Sequence, residues 1–132
     1  MSECYRQLGE QCKKIRDVIE ELCNDKDVRY DTETGKVVSE YDSEDKRYQD
    51  LHGYLIDDNL GINVTTDIRG EMMYSCEICL AYGGPNIYVD TEKECVSGYW
   101  GSDRIDEVLS RHTCTLIDEC VDKERMRLSG DW

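Results

Sequence analysis

Eight cysteines in a chain of 132 residues that also carries a formal net charge of −14 constrain this protein more than any other feature of its sequence. The opening residues, Met-Ser-Glu-Cys-Tyr-Arg-Gln, hold no apolar run of signal-peptide length, and no stretch approaches the roughly 18 apolar residues of a spanning helix. The expected setting is a reducing cytoplasm without membrane contact. There, a cysteine-rich chain points to buried thiols or a metal site more than to a disulfide framework. Phe is absent while Tyr occurs nine times and Trp twice, so aromatic packing relies on rings whose polar tips need hydrogen-bond partners. The core is modest, and a bound metal would add to it.

No Pro-, Ser- or Gly-rich linker divides the chain, so residues 1–132 are expected to form a single domain. The acidity is not a tail: residues 1–60 hold 16 acidic and 9 basic side chains, and residues 61–132 hold 14 and 7. Such a surface repels phosphates and releases no counterions on meeting them, which argues against direct nucleic-acid binding. It suits a basic protein surface as partner; simple solubility is the alternative explanation.

The pattern predicts an α+β fold, with an antiparallel sheet of about four strands packed against two or three helices. Residues 2–24 repeat Cys4, Leu8, Cys12, Ile15, Ile19 and Leu22 at helical spacing. Residues 28–39 read as a small hairpin around Thr32-Glu33-Thr34-Gly35, or as an ordered loop. Ser43 followed by Glu44 and Asp45 is a helix-start signal, predicting a second helix to about Gly61. Four alternating segments follow, at 62–66, 72–80, 87–90 and 95–100. Ile105, Val108 and Leu109 then suggest a short helical turn, and Cys114, Ile117 and Val121 the buried stripe of a last helix ending near Arg127.

Cys76-Glu-Ile-Cys79 is half of a zinc signature. In a flat strand its two side chains point to opposite faces, so shared ligation needs a bulge. If Tyr82 pairs with Ile87, Cys79 lies opposite Asp90 and Cys95 returns beside the same residue. That would gather Cys76, Cys79 and Cys95 at one end of the sheet, with a fourth zinc ligand from His112, Cys114 or Cys4. The competing reading makes these thiols small buried hydrophobes. Cys12, Cys23 and Cys120 lie on or beside apolar stripes, where packing is the expected role, and His52 reads as a helix histidine. Gly83-Gly84-Pro85-Asn86 opens a strand without a following Lys-Ser/Thr and is no phosphate loop. His112 and Cys114, two apart on one helix, do not face each other, so no nucleophile–base pair is indicated and no enzyme is expected.

The acidic faces carry a sharper expectation. Glu44, Asp45, Asp57 and Asp58 are placed to occupy an arginine-rich groove where phosphates would otherwise sit. Tyr99 and Trp100 could anchor such an interface, since aromatic residues dominate interface hot spots.

The segment Gly83-Gly84-Pro85-Asn86-Ile87-Tyr88-Val89-Asp90-Thr91, with Tyr99-Trp100-Gly101-Ser102-Asp103-Arg104, resembles small acidic proteins of phages and mobile elements of Gram-positive bacteria. The similarity covers residues 70–122. In size and charge the chain is similar to anti-CRISPR proteins of the type II-A class, small unrelated folds that inhibit the RNA-guided nuclease Cas9, some of them zinc-binding. That resemblance implies an inhibitor in the host cytoplasm that binds a basic nucleic-acid-binding surface of Cas9 with its guide RNA and hinders loading of target DNA. The alternatives are a structural or regulatory zinc domain of a mobile element, and an antirestriction mimic of DNA.

Overall fold

The computed structural model describes residues 3–130 and has an α+β architecture of two antiparallel sheets and two long helices. In chain order the elements are α1 (Glu3–Asn24), β1 (Arg29–Asp31), β2 (Lys36–Val38), β3 (Tyr48–Gln49), a π-helical turn (Gly53–Asp57), β4 (Gly61–Thr66), β5 (Met73–Ala81), β6 (Asn86–Asp90), β7 (Cys95–Trp100), β8 (Asp103–Val108) and α2 (Arg111–Ser129). The large sheet is a five-stranded meander in the order β4-β5-β6-β7-β8, and the small one runs β2-β1-β3. The strand count therefore exceeds the four expected from the sequence.

One core holds these elements together. Leu8, Cys12, Ile19 and Cys23 bring the stripe of α1 onto the large sheet, where Ile78, Ile87, Val89 and Val96 meet it, and Cys114, Ile117 and Val121 of α2 join the same cluster. Val96 pairs with Val89, and Val89 with Ile78, so these side chains form one row across three strands on the helix-bearing face. Gly98 lets α1 approach: a Cβ there would stand 2.5 Å from Cys12 Sγ and 2.8 Å from Leu8 Cδ1. Glu20 of α1 ties the helices together by accepting from Ser110 N at 2.7 Å and from Thr113 Oγ1 at 2.8 Å. Its charge also sits at the positive end of α2, which Ser110 caps.

Of the expected helical segments, the second survives only over residues 51–57, and the turn at 105–109 is absent. Before residue 51 the second helix is replaced by turns and β3, because Asp42 Oδ1 accepts from Glu44 N at 3.0 Å and Asp45 Oδ1 from Arg47 N at 2.9 Å. Such local side-chain bonds offer the backbone an alternative to the helix that the same residues would otherwise cap. The short turn over Ile105–Leu109 is instead the edge strand β8. Gly101, at φ +61°, makes a tight connection after Trp100, and Trp100 pairs with Asp103. Ile105 and Val108 mimic helical spacing, yet the true period is two: Ile105 packs toward Gly9 of α1, while Val108 is exposed.

Candidate functional site

Residues 43–58 form the most acidic concavity described. A groove of about 560 Å³ is lined by Glu44, Asp45, Asp50, Asp57 and Asp58 against the cations Arg29 and Lys46, with Ser43, Tyr48, Gln49 and Gly53 completing it. The first wall is the turn before β3; the second is the π-helical turn and the residue that follows it. All five carboxylates are solvent-exposed. Several are pinned by single hydrogen bonds: Asp50 Oδ1 accepts from Gly53 N at 2.9 Å, and Asp58 Oδ2 from Gln49 Nε2 at 2.8 Å. The four acids singled out in the sequence are therefore brought to one groove, although not by the helix expected to carry them. Asp50 and Arg29 were missed, because nothing local in the sequence says that β1 and β3 will pair.

The scaffold beneath the groove is a buried ion pair. Arg47 grips Asp31 through two bonds, Nε to Oδ1 at 2.6 Å and Nη2 to Oδ2 at 2.8 Å, and Asp31 is only 3% exposed. The hydrogen-bonded guanidinium holds the Asp31 carboxyl well below the usual carboxylate range. At the other end, His52 Nε2 lies 3.2 Å from Glu124 Oε2 and His52 Nδ1 3.6 Å from Asp57 Oδ1, linking the groove to α2. Arg127 first, and His52 second, lower Glu124 to about 2. A depressed folded-state value means stabilisation that is present above the unfolded value and lost as pH falls through the folded one. Acid unfolding should therefore set in below about pH 4, the unfolded range of carboxylates. In urea titrations between about pH 4 and pH 2, an Asp31→Asn, Glu124→Gln variant is expected to show a flatter stability profile than the parent, and equal slopes would disprove these linkages.

The expected thiol cluster does not assemble. The register is offset from the one anticipated: Cys79 lies opposite Tyr88, and it is Glu77 that faces Asp90. The slip arises at an irregularity between Cys79 and Ala81, where Ala81 rather than Tyr82 pairs with Ile87. Asp90 does pair with Cys95. Cys76 turns to the helix side, with its Sγ 3.5 Å from Asp118 Oδ1, whereas Cys79 and Cys95 belong to the opposite face of the sheet. Cys79 donates to Ala81 O at 3.5 Å, and Cys95 Sγ lies 3.2 Å from Ser97 Oγ. His112 is exposed in the first turn of α2, and Cys114 is buried. Among the described residues no group of three or more His, Cys, Asp or Glu side chains is placed to hold a metal ion. The donor set expected for zinc does not fit this geometry.

Burial, the largest cause in each case, pushes Cys12 and Cys23 up to about 11 and Cys76 and Cys114 to about 12. These thiols stay protonated at neutral pH and are poor nucleophiles. Alkylation of the native protein at neutral pH, read by peptide mass spectrometry, is expected to leave all four unmodified until denaturant is added. Their modification at the rate of a free thiol would contradict the packing.

Tyr99 and Trp100 close β7. Tyr99 is half-buried between Tyr88, ring centroids 6.0 Å apart at 70°, and Arg104, whose Cζ stands 5.4 Å from the Tyr99 centroid. Trp100, 38% exposed, packs beside Gly84. Neither lines the acidic groove. No family model, curated protein or solved structure matches the chain. No helix among the described residues is long and apolar enough to cross a membrane.

Proposed function

We propose that this protein acts by binding and transforms no substrate: it docks its acidic groove on a basic, nucleic-acid-binding surface of a CRISPR nuclease, Cas9 with its guide RNA, and hinders loading of target DNA. The observation that carries this reading is the convergence of Glu44, Asp45, Asp57 and Asp58 on one exposed groove in a chain of net charge −14. Carboxylates fixed around a concavity offer an arginine-rich channel the charge pattern of phosphates, and the field of the whole protein speeds the encounter. The likeness of segments 83–91 and 99–104 to mobile-element proteins directs the choice of nuclease. Tyr99, Trp100 and Arg104 form a second contact surface of the aromatic and arginine character that interface centres favour.

The test is a titration of guide-loaded Cas9 with this protein, in parallel with competition by target DNA. The reading requires saturable binding, exclusion of target DNA and weaker binding at higher salt. Absence of binding to guide-loaded Cas9 would remove the nuclease from the reading.

A further inference from the structure

The two edges of the five-stranded sheet differ in chemistry. β8 carries Asp103, Arg104, Asp106 and Glu107 among its six residues, the kind of charge by which edge strands repel a further strand. β4, at the opposite edge, has no charged side chain: the run from Asn59 to Thr66 is uncharged, and Ile62, Val64, Thr65 and Thr66 in it are β-branched. Its register with β5 is regular from Gly61 to Thr65, so no bulge turns this stretch away.

The backbone of that edge is open in a defined pattern. Cys76 of β5 turns its N–H and its C=O toward Thr91, donating to Thr91 Oγ1 at 2.9 Å and accepting from Thr91 N at 3.0 Å. Alternation along an antiparallel ladder then makes Asn63 and Glu77 a hydrogen-bonded pair and leaves the N–H and C=O of Ile62 and Val64 pointing out of the sheet. Cys79 O, which accepts from Leu60 N at 2.8 Å, has the parity this requires. The side chains are open as well. The apolar row through Val96, Val89 and Ile78 stops at the charged Glu107 on β8, whereas on β4 it ends at the half-buried Ile62. Val64 beside it is 38% exposed, and Leu60 and Tyr74 are more exposed still.

We propose that β4 pairs antiparallel with β4 of a second copy of this chain, about a two-fold axis at Asn63, joining two five-stranded sheets into one continuous sheet. In that register Ile62 exchanges both backbone bonds with Val64 of the second copy, and Val64 with its Ile62, so the open groups match one for one. On the helix-bearing face Ile62 then lies beside Val64 in both directions, and on the other face Asn63 meets Asn63. The same strand supplies both complementary patterns, and an uncharged edge is the part of a chain of net charge −14 where two copies can approach. One strand with its flanking side chains buries less than the roughly 800 Å² per partner of a standard interface, so the dimer is weak and reversible. The remaining repulsion between the copies is screened by salt, so dimerisation should strengthen as ionic strength rises. That sign is opposite to the one expected of the acidic groove, and the inference does not depend on the nuclease reading.

The test is sedimentation velocity of the full-length protein under reducing conditions, from low to high micromolar concentration and at two ionic strengths. A monomer–dimer equilibrium that shifts toward dimer at the higher salt is expected. Val64→Pro removes an N–H that points out of the sheet and leaves the ladder with β5 whole. It should weaken dimerisation by about tenfold or more, because the two-fold loses that bond twice, while the melting temperature hardly moves. In a separate oxidation experiment, Asn63→Cys places two thiols on a non-hydrogen-bonded pair with Cα atoms about 4.5 Å apart, within disulfide reach. Mild oxidation should therefore give a covalent dimer well above the parent's level, whereas Thr65→Cys, which falls opposite Gly61 of the second copy, should not. Both positions are exposed, so this comparison decides the matter if the proline variant fails to fold. A dimer that dissociates as salt rises, one that is indifferent to Val64→Pro, or equal cross-linking of the two thiol variants would overturn the proposal. A chain that stays monomeric throughout would also overturn it and leave this edge to an extended segment of another protein.

Discussion

Replacing Glu44, Asp45, Asp57 and Asp58 together by their amides is expected to weaken binding to guide-loaded Cas9 by on the order of tenfold or more and to flatten its salt dependence. Each exposed carboxylate alone contributes little, about 1 kcal/mol or less, so the single variants should be hard to tell from the parent. The amides keep the carbonyl acceptors that Arg47 N and Gln49 Nε2 use, and all four positions are exposed, so the melting temperature should hardly move. Titrations at two ionic strengths separate the outcomes. If the quadruple variant binds as the parent does, with the same salt slope, the acidity serves solubility and the interface shifts to Tyr99, Trp100 and Arg104. If the variant loses affinity and its melting temperature together, the residues support the fold and the functional reading loses its footing.

Gly98→Ala should be among the most damaging single substitutions in the chain. The added Cβ would meet Cys12 Sγ at 2.5 Å and Leu8 Cδ1 at 2.8 Å, and both side chains are fully buried between α1 and the sheet. Neither has solvent to retreat into, so α1 must lift or the rotamers must strain, at about 1–3 kcal/mol by the cost of overpacked cores. Gly98→Val should leave little folded protein. Adding Cys12→Ala to the Gly98→Ala variant removes the nearest obstructing atom and should restore part of the lost melting temperature. A Gly98→Ala protein that melts with the parent would mean that α1 does not cross β7 at this point.

The elements that the sequence reading located best were those whose signal is local and repeated. The helical-period stripe from Cys4 to Leu22 marks α1 within a residue of its start, and the alternation through β5, β6 and β7 marks three central strands. These patterns are legible because burying one face of a regular element demands its period wherever it packs. Elements 43–58 and 103–108 were not legible for the converse reason. Asp42 and Asp45 make turn bonds from the same residue types that cap helices, and β8 is a mostly charged edge strand whose half-buried face holds one apolar side chain, Ile105, between Asp103 and Glu107.

The candidate site divides in the same way. Composition determined that the surface would be strongly acidic and the thiols mostly buried, since eight cysteines and a 14-charge excess of acid leave few other arrangements in a chain of this length. Only the tertiary structure decided which acids share a groove, because that depends on β3 pairing with β1 and on Arg47 reaching the buried Asp31. Likewise, a register offset at the irregularity near Cys79 separates thiols that a regular hairpin would bring together. Register and pairing partners are set by contacts between distant segments, and short-range sequence patterns carry no record of them.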